Sequence, residues 1–522
     1  MTTRRALDVI GEQELVAKGR AVVRVGSKQL AVFATERGVL ACNNRCPHEG
    51  YPLAEGTLDD RCVLTCNWHN WKFELETGRN LYGGDALRTY PVEIRAGRVW
   101  VDVSDPPPEL AVAERMARLH EAVTDDSTDR IAREVARLLG LGVTPERVLL
   151  DVVARRAEHL EFGFSHALAG LPDWLALADE LPDEAERLAC FVEPLAHIAR
   201  DTLRQPARPF APAAPQFDPA LLAEAIEAED QARAEGAVRA ALAAGVSDDE
   251  LAPLLARSAL SHYADFGHSL IYLQKALEGI RRLGGDARWP LLGSLVRSLV
   301  YAQRDDLIPE FREYRPALER FGSGTAPLPT VTELLELGTA DTLARVVDSS
   351  AAAPLALYRV LLDTAAARLS CFDTTWATRV DRPVSDNVGW LDFTHALTFG
   401  HAARSFATRQ PELWPAALLQ LACFTGRNRR YAPGPPPDAE PLAEASLDLA
   451  HLLPSILDHG LAEPIVSVHR LKTFVAVRRE LQAGFADAAH VAALERFLSA
   501  PMKRRHVVRT ARQALAFVRR ED

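Results

Sequence analysis

The chain has 522 residues, 48% hydrophobic and 25% charged, with a net charge of −11. That length exceeds one ordinary core and implies two or three domains. The acidic balance, without a basic block, excludes the electrostatic footprint of a nucleic-acid binder. No run approaches the roughly 18–20 apolar residues of a membrane span. Met1 to Leu15 lacks a signal-peptide core, so a cytoplasmic protein is expected. Seven scattered cysteines do not form a disulfide framework. Arginine carries nearly all the positive charge. The few lysines are Lys18, Lys28, Lys72, Lys275, Lys472 and Lys503, so a lysine inside an apolar helix stands out.

Residues 1–104 read as β. Ala21-Val22-Val23-Arg24-Val25, Leu30-Ala31-Val32-Phe33-Ala34 and Val39-Leu40-Ala41 are short apolar or alternating runs punctuated by Gly26 and Gly38. Trp71 to Leu75 alternates, Glu76-Thr77-Gly78 is a turn, and Tyr90 to Ile94 and Val99 to Val103 close the set. Many short strands with turn signals predict a small antiparallel barrel or sandwich. Asp105-Pro106-Pro107-Pro108 opens a stiff linker over 105–111. From 112 to 522, Ala, Leu, Arg and Glu dominate at helical spacing. Proline-rich breaks fall at Pro206 to Pro215, Pro327 to Pro329 and Pro433 to Pro441. The fold class is α+β and multidomain: a small antiparallel β domain followed by a large all-α domain.

Cys46-Pro47-His48 and, after 17 intervening residues, Cys66-Asn67-Trp68-His69 give C-x-H and C-x2-H. A Rieske [2Fe–2S] cluster takes two thiolates on one iron and two imidazoles on the other, and each piece supplies one of each. Cys46, His48, Cys66 and His69 are therefore the expected cluster ligands. Asn44 to His48 and Cys66 to Phe73 resemble the Rieske ferredoxin domains of bacterial oxygenases over roughly residues 5–104. The family usually has glycine where this chain has Asn70, a residue that tolerates left-handed backbone. No loop disulfide accompanies the ligands, so a low potential is expected, near the lower end of roughly −150 to +300 mV. Cys42 and Cys62 read as small buried hydrophobes.

The helical region lacks the D-x2-H-x4-H signature of a standard Rieske oxygenase α-subunit. Three histidine segments stand out instead: Glu158 to His166, His262 to His268 and Asp392 to His401. Each places histidine in an apolar, apparently helical setting. Asp265/His268 and Asp392/His395 are i,i+3 pairs, and His159 and His166 lie seven apart. Imidazoles converging inside a bundle build iron sites, although a histidine in an apolar helix is also commonly a core residue with one satisfied hydrogen bond. Lys472 lies in the apolar stretch Val468 to Val477, where a free ammonium is costly unless it snorkels to water. His469 shares its face as a ligand or a support.

His268-Ser269-Leu270-Ile271-Tyr272-Leu273-Gln274-Lys275, His395 to Arg404, Val468 to Lys472 and Ser165 to Leu171 are similar to the questin oxidase-like family. That resemblance covers about 150–480. It implies oxidative opening of anthraquinone-type rings by non-haem iron held by histidines and a carboxylated lysine. Carried over, the ligands are His166, His268, His395 and Lys472. The family has a further histidine where this chain has Tyr272, which leaves His262 or His401 as substitutes.

The expected function is a Rieske-coupled oxygenase acting on an aromatic or polyketide-like small molecule. It implies a [2Fe–2S] cluster, a mononuclear iron, dioxygen, and electrons from an NAD(P)H-dependent reductase or a ferredoxin. The sequence names no catalytic acid, base or nucleophile. The alternatives are a Rieske electron carrier fused to a metal-free helical docking module, and a redox sensor.

Overall fold

The computed structural model describes residues 5–501, apart from 27, 83, 380, 384–386, 435–448 and 462, together with 512 and 515. Most of the third proline-rich break therefore lies outside the described residues. The chain divides into two compact units, Met1–Thr144 and Pro145–Asp522. Among the described residues no helix is long and apolar enough to cross a membrane.

Among its described residues the first unit contains ten strands: β1 (Ala6–Gly11), β2 (Arg20–Val25), β3 (Lys28–Thr35), β4 (Gly38–Asn43), β5 (Thr57–Leu58), β6 (Val63–Thr65), β7 (Lys72–Glu74), β8 (Thr89–Tyr90), β9 (Val92–Arg95) and β10 (Arg98–Asp102). They form three antiparallel sheets, β1-β10-β9, β2-β3-β4-β8 and β5-β6-β7. The third strand, β3, explains why one stretch reads as continuously apolar. Successive side chains point to opposite faces. Leu30 and Val32 enter a core with Leu15, Val99 and Val101. Ala31 and Phe33 enter another with Leu64, Phe73 and both Cys46 and Cys66. The second core thus lies directly beneath the two cysteine loops. Fully burying each large aliphatic or aromatic side chain there contributes roughly 1.5–3 kcal/mol. Cys42 and Cys62 are buried, as their small apolar character predicts.

Asp105 to Pro107 is extended, but Pro108 opens a helix, Pro108–Thr124, inside the stretch expected to be linker. Proline lacks only an N–H that the first helical turn leaves unused, and its φ is already helical. This helix packs on Thr128–Gly140. The pair belongs to the β unit, where buried Asp85 accepts from Arg133 Nε at 2.8 Å.

The second unit is helical throughout its described residues. Four helices matter most: His166–Glu180, His268–Leu283, Leu391–Ala407 and Pro464–Gln482. The first packs on the second and fourth, and the third packs on the same two, closing a ring. Their inward faces are almost wholly buried, as helices with apolar residues on most sides require. Elsewhere in this unit Arg297 Nε donates to Glu235 Oε1 at 2.7 Å, with both side chains fully enclosed.

Candidate metal centres

The two cysteine loops repeat one backbone design. Cys46 N donates to Tyr51 O and Gly50 N to Cys46 O, each at 2.8 Å. Cys66 N donates to Trp71 O at 2.8 Å and Asn70 N to Cys66 O at 2.9 Å. Each loop closes on a left-handed residue, Gly50 at φ 80° and Asn70 at φ 60°. Asparagine thus fills the position expected to need glycine, consistent with its tolerance of that region.

Closing the loops this way brings His48 Nδ1 and His69 Nδ1 to 3.3 Å. Trp71 stacks on His48 at 4.5 Å between ring centroids, and Tyr51 stacks on Trp68 at 4.1 Å, which braces both loops. The opposite ring nitrogens face Glu49, 3.6 Å from His69 Nε2 and 4.0 Å from His48 Nε2. Cys46 and Cys66 are buried side by side. Burial pushes the Cys46 thiol up to about 11. The backbone amides of His48 and Glu49 partly offset that, and Cys66 adds to the rise. Two crowded thiols and two convergent imidazole nitrogens suit a two-iron cluster, whose positive irons stabilise both thiolates.

The helical unit holds a second convergence. His268 Nε2 lies 3.0 Å from His166 Nε2, and His469 Nε2 lies 3.1 Å from His395 Nε2. One ring nitrogen from each of the four lies within 4.8 Å of the others. His166 and His268 open their helices, whereas His395 and His469 sit inside theirs.

The other side of each ring is anchored. His268 Nδ1 donates to Asp265 O and His469 Nδ1 to Ile465 O, both at 2.5 Å. The backbone of Leu391 bonds the His395 ring, and Tyr272 Oη lies 3.2 Å from His166 Nδ1. Outer partners of this kind fix the tautomer and aim the free lone pair inward. Burial drives all four imidazoles below their ordinary range, His268 to about 3, so each is neutral near pH 7. Four neutral imidazoles, two of them buried and two partly buried, with ring nitrogens gathered at one point fit a transition metal.

His268 is set by an unusual turn. Asp265, Phe266 and Gly267 all have left-handed backbone, with φ of 49°, 47° and 75°. Buried Asp305 holds the turn by accepting from Phe266 N at 2.7 Å. The helical settings expected for 158–166 and 262–268 are therefore corrected. The first is interrupted by Gly163 at φ 82°, and the second by this turn. His159, expected to share a face with His166, instead bonds Gln205 O at 2.8 Å through Nδ1.

Lys472 is 1% exposed, and among the described residues its Nζ has no hydrogen-bond partner. It lies 5.9 Å from the Tyr272 ring centroid. Burial lowers its pKa to about 7, Lys275 lowers it further, and Asp173 opposes the change. Lys275 itself is neutralised by Asp173 at 2.7 Å and Glu278 at 2.9 Å.

His262 and His401 stand apart from the tetrad, each held by carboxylates. His262 lies between Glu227 at 2.7 Å and Asp306 at 3.1 Å. His401 Nδ1 is 2.6 Å from Glu480 Oε1, which also binds Arg404. Asp392 caps Gly389 N and pairs with Arg427 rather than supporting His395. A cavity of about 830 Å³ reaches His166 and Tyr272, with Phe162, Phe164 and Tyr301 on its walls. Its lining also includes Asp265, the i,i+3 partner of His268, and the buried His197, which no spacing in the sequence signals.

Comparison with known proteins bears on the β unit. The Rieske [2Fe-2S] domain family matches residues 6–91. The chain is 33% identical over 95 residues to the ferredoxin subunit of 3-phenylpropionate/cinnamic acid dioxygenase of Escherichia coli, covering 18% of this chain and 90% of that protein. It is 34% identical over 96 residues to 4beta-methylsterol monooxygenase of Methylococcus capsulatus, covering 16% of this chain and 26% of that protein. The chain thus spans about a quarter of that monooxygenase. Among solved structures, the ferredoxin of carbazole 1,9a-dioxygenase from Nocardioides aromaticivorans IC177 is 21% identical, with a TM-score of 0.18, covering 19% of this chain and 96% of that one. Through residues 6–91 the chain belongs to the Rieske [2Fe-2S] family.

Proposed function

We propose that the chain is a Rieske-coupled non-haem iron oxygenase, with the second, helical unit from Pro145 onward, rather than all residues from 112, forming a questin oxidase-like catalytic region. The carrying observation is the inward convergence of four buried imidazole nitrogens from four helices, beside a cavity. Cys46, His48, Cys66 and His69 would hold the cluster. His166, His268, His395 and His469 would hold a mononuclear iron, so His469 fills the place for which His262 and His401 were candidates. When bound, the cluster supplies single electrons and the iron supplies activation of dioxygen. A cytoplasmic NAD(P)H-dependent reductase or ferredoxin is the proposed electron source.

The chain's own residues prepare this chemistry. Donation from Nδ1 to backbone carbonyls keeps Nε2 of His268 and His469 unprotonated and aimed inward. Burial keeps a large fraction of Lys472 as a free amine near neutrality. Its Nζ lone pair can add to carbon dioxide and lose a proton, and the resulting carbamate would offer an oxygen ligand. That role rests on the questin oxidase-like resemblance. Phe162, Phe164, Tyr272 and Tyr301 give the cavity aromatic walls that suit a flat ring system. Asp265 lies on the same wall. Burial, with Asp305 adding, pushes its carboxyl up to about 7, so it can hold or release a proton there near neutral pH.

Iron analysis of Cys46→Ala with electron paramagnetic resonance tests the proposal. Loss of the cluster should leave about one mononuclear iron per chain, and His469→Ala should remove that iron while sparing the cluster. An intact protein that holds iron only in its cluster would defeat the proposal and leave an electron carrier with a helical companion.

A further inference from the structure

Within the first unit, a separate cavity of about 920 Å³ lies between the β sheets and the helical pair Pro108–Thr124 and Thr128–Gly140. Five arginines line it: Arg45 and Arg88 from the β side, and Arg115, Arg118 and Arg137 from the helices. Three carboxylates share the wall, Asp102, Asp105 and Glu114. Positive charge is therefore in excess.

The local pairings do not remove that excess. Arg88 shares Asp105 with Lys28, at 2.8 and 3.0 Å. Arg118 pairs with Glu114, and Arg137 with buried Glu134. Arg115 is about three-quarters buried, and its nearest carboxylate is that same Glu134, 3.7 Å away and beyond a direct hydrogen bond. Burial, with the neighbouring Arg118 and Arg137, lowers the pKa of Arg115 against the opposing pull of Glu134 and Glu114, so its counter-charge falls short of full compensation. Among the described residues the side chain of Arg45 has no ionic partner.

Guanidiniums arriving from several directions match a tetrahedral oxyanion, which offers acceptors on every side. A planar monocarboxylate would satisfy one fork and leave the others uncompensated. We propose that this cavity binds a phosphate-type oxyanion of at least two charges, held chiefly by Arg115 and Arg45. The site is independent of the helical iron and of any oxygenase activity.

Calorimetric titration of the full chain with inorganic pyrophosphate, at ionic strength fixed with potassium chloride, tests it. Saturable binding is expected, weakened about tenfold in Arg115→Gln by loss of one charge-assisted fork. A smaller loss, about threefold, is expected in Arg45→Gln. Arg45 is exposed, so that variant separates lost binding from lost folding. Absence of saturable binding to the parent, or unchanged affinity in both variants, would overturn the proposal. So would binding of an acidic polypeptide that pyrophosphate fails to displace, since the surface would then serve protein docking.

Discussion

Replacing Lys472 by methionine should stabilise the metal-free helical unit. The ammonium ordinarily titrates at 10.5 and is held near 7 by enclosure, without a hydrogen bond at Nζ. The gap of about 3.5 pH units, at about 1.4 kcal/mol per unit, corresponds to roughly 5 kcal/mol between the acid and alkaline limits. Here the folded pKa is depressed for a base. The unfolded chain therefore binds more protons between about pH 7 and 10.5, and stability rises with pH across that window. At pH 7 about half the folded molecules already carry the proton, which leaves a penalty of roughly 4 kcal/mol.

Methionine keeps the apolar stem and removes the charge. Urea unfolding of carbon-dioxide-free apoprotein, followed by far-ultraviolet circular dichroism from pH 5 to 9.5, should show Lys472→Met more stable by a few kcal/mol at pH 7. The difference should shrink as pH rises. The tetrad provides an internal control. His268 is held near 3 against an ordinary 6.5, so its contribution is complete above about 6.5 and is lost as pH falls toward 3. Burial is the main cause of that shift and Lys472 the second, so the acid limb should remain in the variant but weaken. Parallel pH curves for parent and variant, with no gain at pH 7, would refute a buried, uncompensated lysine.

Three further outcomes are expected. Cys66→Ser should abolish the visible absorption of the cluster and leave the helical circular dichroism intact, because the ligand belongs to a separate compact unit. Arg297→Met should lower stability by about 3–5 kcal/mol in denaturant unfolding, since it strands the enclosed carboxylate of Glu235; a change below about 1 kcal/mol would show that Glu235 finds other compensation. Gly163→Ala should cost more than about 2 kcal/mol, because its left-handed φ disfavours any Cβ and the added atom would sit 2.2 Å from Ser294 O. A melting temperature equal to the parent's would contradict that geometry.

The proposed cluster ligands stand out in the sequence because all four lie within 24 residues, from Cys46 to His69, and chemistry restricts their types and spacing. Local hydrogen bonding then settles their geometry. The tetrad draws on His166, His268, His395 and His469, which no local pattern connects. Three of these stood out by their apolar surroundings, and His469 was open as a ligand or a support. The same signal also raised His262 and His401. Both are enclosed, yet their rings face Asp306 and Glu480, carboxylates far away in sequence. Hydrophobic context reports that an imidazole is buried without saying what meets it. The turn before His268 was hidden for a related reason. Asp265 and Phe266 are not residues that announce left-handed backbone, and only the distant Asp305 and the surrounding aromatic packing hold them there.

The ring of four helices has a consequence for assembly. Its imidazoles come from points up to 303 positions apart along the chain, so the cage exists only after the last of these helices has docked. An ion captured there would bind the finished architecture far better than any precursor, and its affinity would be added to the resistance of the whole unit against opening. Loading would serve as a proofreading step for maturation: a chain nicked or truncated before His469 could collapse into helices, but would have no cage to fill.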